Sequence, residues 1–131
     1  MNILLVSVDD RVDLIPMLQE AIDEPIDFFL SDNIEQVPQF IAQHKIDLFI
    51  CDLKFPEQQV VQMVDAIDSP HNRDVRGVFL HSEPNHTLSR IGINSCVMRD
   101  YLLRPYDKAR IATMWRHCLN DKLYKYHALV V

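Results

Sequence analysis

The chain has 131 residues, enough for one domain of ordinary size and too few for two. Nineteen acidic residues against thirteen basic ones leave a net charge of −6, which speaks against a phosphate-tracking nucleic-acid surface. Apolar residues make up 48% and charged residues 24%, a globular balance that argues against disorder, and no segment is long and apolar enough for a signal peptide or a membrane span.

The three cysteines, Cys51, Cys96 and Cys118, are odd in number and form no CxxC. Neither a disulfide framework nor a zinc site is expected, and a cytoplasmic location is.

In chain order, short apolar runs alternate with amphipathic stretches. NILLVSV (2–8) reads as a buried strand, with a helix following over 13–23. IDFFLS (26–31) is the second strand, followed by a helix over 33–44. IDLFICD (46–52) is apolar almost throughout and ends on Asp52, as a strand buried on both faces should. A helix over 57–67, the strand GVFLHS (77–82), a helix over 84–95, the strand VMRDYLL (97–103) and a last helix from Asp107 complete the series.

Strands alternating with helices predict a parallel sheet covered on both faces. Pro25, Pro56, Pro70, Pro84 and Pro105 fall between elements. Pro16 and Pro38 fall where helix is expected, so those helices are predicted to start late, with proline in the first turn. The only glycines, Gly77 and Gly92, make neither a dinucleotide fingerprint nor a P-loop. The last helix carries an apolar stripe of Ile111, Met114, Trp115, Cys118, Leu119, Leu123 and Tyr126. The domain is therefore placed at 1–121, and 122–131 is read as a helical extension or as a linker to an output domain.

In an open parallel sheet, functional groups gather at the carboxyl ends of the strands. Strand one ends in Asp9 and Asp10, strand three in Asp52, strand four in Ser82, and strand five in Arg104 and Pro105. Three clustered carboxylates repel one another unless a cation compensates them. Magnesium, held by one or two carboxylates and substrate phosphate, resolves the repulsion. The set reads as a phosphoryl-transfer site with Asp52 as nucleophile, and Arg104 and the Ser82 hydroxyl holding phosphoryl oxygens.

Four segments, VSVDD (6–10), ICDLKFPE (50–57), VFLHSE (78–83) and DYLLRPYDK (100–108), resemble the signature blocks of bacterial response-regulator receiver domains. Ser82 lies 30 residues after Asp52 and Arg104 a further 22, spacings similar to the family's. The resemblance covers about the first 120 residues. It implies a flavodoxin-like (βα)5 fold with five parallel strands in the order 2-1-3-4-5 and helices on both faces.

The same resemblance implies roles. Asp52 is the phosphoacceptor; Asp9, Asp10, Asp52 and the backbone carbonyl of Lys54 hold Mg2+ or Mn2+. Ser82 is the switch hydroxyl, Tyr101 the aromatic that follows it, and Pro105 sits at a cis bond that aims residue 104 at the site. Arg104 departs from the family's lysine, replacing a point charge with a planar fork that either clamps phosphate or pairs with Asp52 directly. Glu83 replaces a small residue and would repel a phosphate donor. Lys54 and Arg104 together would partly neutralise the acidic pocket without metal, leaving the cation weakly bound and the receiver slow or degenerate.

The implied function is a phosphorelay signalling switch, not an enzyme acting on other substrates. A histidine kinase or phosphotransfer protein would phosphorylate Asp52, and Ser82 and Tyr101 would relay the state to the face made by the fourth helix, fifth strand and fifth helix. Arg90, Arg99, Asp100, Lys108 and Arg110 give that face mixed charge, which suits a symmetric dimer. The alternative is a pseudo-receiver that keeps the fold as an interaction or dimerisation module without taking phosphate. A haloacid-dehalogenase-like phosphatase is disfavoured, because Lys54 stands where its acid/base aspartate belongs. Neither nucleic acid nor membrane is an expected partner.

Overall fold

The computed structural model describes residues 1–7, 11–72, 74–81 and 97–118. Five strands, β1 (Asn2–Val6), β2 (Asp27–Ser31), β3 (Leu48–Asp52), β4 (Arg76–His81) and β5 (Met98–Leu103), form one sheet in the order β2-β1-β3-β4-β5. Every neighbouring pair is parallel. This is the order and direction expected from the sequence. The expected helix over 84–95 and the residues beyond 118 lie outside the described residues.

The period-2 alternation of each strand divides its side chains between two cores. On one face Leu4, Val6, Phe49, Cys51 and Phe79 pack with α2 (Val37–Gln43) and α3 (Glu57–Ile67). On the other, Ile3, Leu5, Leu48, Ile50, Val78, Leu80 and Leu102 meet α1 (Arg11–Ala21) and a C-terminal helix over 108–118. β3 is buried at all five positions, which is why its sequence shows no polar alternation.

The helices dock through spaced apolar residues: Leu14, Leu18 and Ile22 along and just beyond α1, and Ile111, Met114 and Cys118 on the C-terminal helix. Pro38 occupies the first turn of α2, as expected. Pro16 does not: α1 begins at Arg11, so the proline falls inside the helix. Three leucine and isoleucine side chains at spacing four, each no more than 3% exposed, outweigh the missing backbone hydrogen bond.

β4 and β5 shift register between Gly77 and Val78. Gly77 fits a crowded spot, because a Cβ would come within 2.4 Å of Met98 Sδ, the end of a flexible side chain that would have to move, and 3.3 Å of Phe49 Cδ1.

Candidate functional site

The chain runs from β1 outward to β2 and then returns to β3 on the other side of β1. The carboxyl ends of β1 and β3 therefore flank the topological switch point, where ligands bind in sheets of this kind. Asp52 is the last residue of β3 and Ser7 the first after β1. Val6 pairs with Cys51, so the next residues along, Ser7 and Asp52, stand side by side. Ser7 is fully buried and Asp52 2% exposed.

A carboxylate this buried must be satisfied by donors. Oδ1 accepts the Lys54 backbone N–H at 2.9 Å, in a turn that Asp favours. Oδ2 accepts the Ser7 hydroxyl at 3.3 Å and an Nη2–H of Arg104 at 2.8 Å. The Leu53 N–H, bonded to the Leu80 carbonyl at 2.9 Å, holds the chain against β4 just past the site.

Arg104 follows β5 and precedes Pro105 across a cis peptide bond, as expected. Its guanidinium spans the gap from β5 to β3 as an ion pair with side-chain exposures of 16% and 3%. Its Cζ lies over the ring of Tyr106, 5.8 Å from the centroid.

Of the sequence-derived set, the structure brings Asp52, Arg104 and the Lys54 backbone together. Asp9, Asp10, Ser82 and Glu83 lie outside the described residues. Lys54 approaches Asp52 through its N–H, while its side chain is exposed. Among the described residues no three His, Cys, Asp or Glu side chains are grouped to hold a metal. Asp52 nonetheless presents hard carboxylate oxygens, the donor type that magnesium and manganese take.

Sequence reasoning missed Ser7 and Tyr106. Ser7 had a signal, since a lone hydroxyl within a fully apolar strand needs a buried partner. Tyr106 had none, because its meeting with Arg104 depends on the path of the chain after β5.

A second polar cluster sits on the outer side of β5. Asp100, whose side chain is 8% exposed, accepts two hydrogen bonds from Arg110, at 2.7 and 3.3 Å, and His117 Nδ1 lies 3.3 Å away. The same carboxylate takes the Tyr101 N–H at 2.8 Å, and Arg110 donates to the Tyr101 carbonyl at 2.9 Å. Side chains thus occupy the outward-facing backbone groups of this edge strand at Tyr101, a protection that edges need. Burial by itself would raise the Asp100 pKa, but the hydrogen bonds from Arg110 and Tyr101 and the guanidinium charge lower it overall.

Tyr101 is 41% exposed, with Arg110 Cζ 5.5 Å from its ring centroid. Lys108 pairs with Glu20 at 2.6 Å. Three of the charges expected to face a second copy, Asp100, Lys108 and Arg110, are thus engaged within the chain. The side chains of Arg90 and Arg99 lie outside the described residues.

No protein-family model matches the chain, and no curated protein matches it. Solved structures do. A signal receiver domain of a two-component signal-transduction histidine kinase from Clostridium thermocellum is 20% identical, with a TM-score of 0.71 over 90% of this chain and 95% of that one. A signal receiver domain from Vibrio parahaemolyticus, assigned to a candidate Luxo repressor protein, is 25% identical, with a TM-score of 0.69 and 95% of each chain covered. NtrX from Brucella abortus is 17% identical, with a TM-score of 0.69 over 98% of this chain but 28% of its own. The chain has the receiver-domain fold. No helix among the described residues is long and apolar enough to cross a membrane.

Proposed function

We propose that this domain is a signalling switch that accepts a phosphoryl group on Asp52 from a histidine kinase or phosphotransfer protein. The observation that carries the reading is a buried carboxylate at the switch point with a guanidinium 2.8 Å from one of its oxygens. In the transfer, an Asp52 oxygen attacks the phosphorus of a phosphohistidine. An O–P bond forms, the N–P bond breaks, and the imidazole leaves with the electron pair and takes up a proton.

Arg104 is placed to neutralise charge on the incoming oxygens, a role suited to its planar donors. The Ser7 hydroxyl and the Lys54 N–H orient the carboxylate through one hydrogen bond to each oxygen. Asp9, Asp10, Asp52 and the Lys54 carbonyl are the groups that would hold Mg2+ or Mn2+. When bound, the cation shields the negative charge that donor and acceptor share.

Ser82 and Tyr101 would carry the change to the β5 and C-terminal-helix face.

The direct Asp52–Arg104 ion pair also favours a second reading, a pseudo-receiver in which the arginine takes the place of the phosphoryl chemistry and the domain acts by binding. One experiment separates the two. The protein is incubated with acetyl phosphate and magnesium, and its intact mass is measured. A single phosphoryl adduct, absent from Asp52→Ala, supports the switch; no adduct in the folded protein supports the pseudo-receiver.

A further inference from the structure

We propose that Tyr106 is a positioning residue that holds the Arg104 guanidinium on Asp52, so that the pair forms a latch competing with a divalent cation for that carboxylate. The proposal rests on the reading that Asp52 is the phosphoacceptor, and it adds the regulation of that site.

Three observations support it. First, the Arg104 guanidinium has two partners at once: it donates to Asp52 Oδ2 at 2.8 Å, and its Cζ lies over the Tyr106 ring, 5.8 Å from the centroid. Second, Tyr106 is half-buried and packs on the core beneath α1 and the C-terminal helix, which restrains its ring. Third, Asp52 has donors on both oxygens, one of them a full positive charge, in a site only 2% exposed.

A guanidinium is planar, weakly hydrated and able to lie against an aromatic face, whereas an ammonium is a compact, strongly hydrated charge. Tyrosine at 106 therefore favours the paired position of an arginine far more than that of a lysine. A second cation arriving at Asp52 meets the positive charge already there, and their repulsion in a poorly solvated site weakens its binding. Loosening the arginine should tighten the metal.

The test is calorimetric titration of magnesium chloride into the wild-type protein, Tyr106→Phe, Tyr106→Leu, Arg104→Lys and the Arg104→Lys/Tyr106→Leu double variant. Phosphoryl transfer is not read, so failure of the phosphodonor experiment and failure of this one are distinguishable. Tyr106→Phe keeps the ring and should bind magnesium as the wild type does. Tyr106→Leu should bind it about two- to fivefold more tightly, the fold-change equivalent to losing one cation–π contact of the strength found at exposed sites. With lysine at 104 the same leucine should change nothing.

An equal effect of Tyr106→Leu with arginine and with lysine overturns the proposal, because a merely structural tyrosine would behave that way. So does magnesium affinity that stays level across the series, including no binding by any variant. If Tyr106→Leu does not fold, Arg104→Lys alone decides. Tighter magnesium binding than wild type supports the latch, and equal or weaker binding refutes it.

Discussion

Ser7 and Asp52, 45 residues apart in sequence, share a hydrogen bond of 3.3 Å because β1 and β3 are adjacent and in register up to the preceding pair. A fully buried hydroxyl needs a hydrogen-bond partner, and the carboxylate that ends the neighbouring strand supplies one. Replacing Ser7 by Ala removes one of the donors to Oδ2 while leaving Arg104 in place. It should destabilise the fold by about 1 kcal/mol in urea unfolding. A loss above about 3 kcal/mol would show that the hydroxyl does more than this bond.

The Asp100 carboxylate gives a pH signature whose sign follows from its lowered pKa. A depressed folded-state pKa contributes stability that is present above the unfolded value, about 3.9, and is lost as pH falls through the folded value. The stability advantage of the wild type over Asp100→Asn should therefore be full at pH 6 to 7 and shrink as pH falls below about 4. Urea unfolding of both proteins at several pH values measures the difference, and an advantage that grows on acidification contradicts the assignment.

The same ion pair guards an edge strand. Arg110→Ala removes the donor to the Tyr101 carbonyl and one side of the Asp100 pair. The expected cost is about 1–3 kcal/mol, measured by thermal unfolding, with stronger self-association seen in light scattering. Tyr101, no longer against the guanidinium, should also change its near-ultraviolet circular dichroism.

Gly77→Ala should cost about 1–2 kcal/mol, because its methyl displaces the end of the Met98 side chain in a packed core. Met98→Ala opens space at the same spot. The double variant should therefore lose less than the two single variants combined, a coupling that a double-mutant cycle measures by urea unfolding.

Cys51 and Cys118, at 0% and 1% exposure, should resist a thiol-specific reagent in the native protein. Burial, with the Asp52 charge adding to it, drives the Cys51 thiol pKa far above its ordinary value, so almost no thiolate forms near neutrality. Peptide mapping after labelling with and without urea checks this: both sites should label only in the unfolded protein.

The amino-acid sequence alone determined the alternation of strands and helices, the burial of β3, and Asp52 and Arg104 as groups at strand ends. These follow from local causes: an apolar run with no polar alternation must be covered on both faces, and a strand's polar terminus lies at the sheet's edge. Pro16 shows the limit of local reasoning. Its penalty argued for a later helix start, and the burial of Leu14, Leu18 and Ile22 overruled it.

Only tertiary structure decided that Arg104 lies on Asp52 and over the Tyr106 ring, that Ser7 shares the same oxygen, and that Asp100 and Arg110 close on each other within the chain. Each of these depends on strand register and on the path of the chain after β5. Side-chain meetings across 10 to 52 residues are set by how whole elements pack, which residue types and spacing do not encode singly.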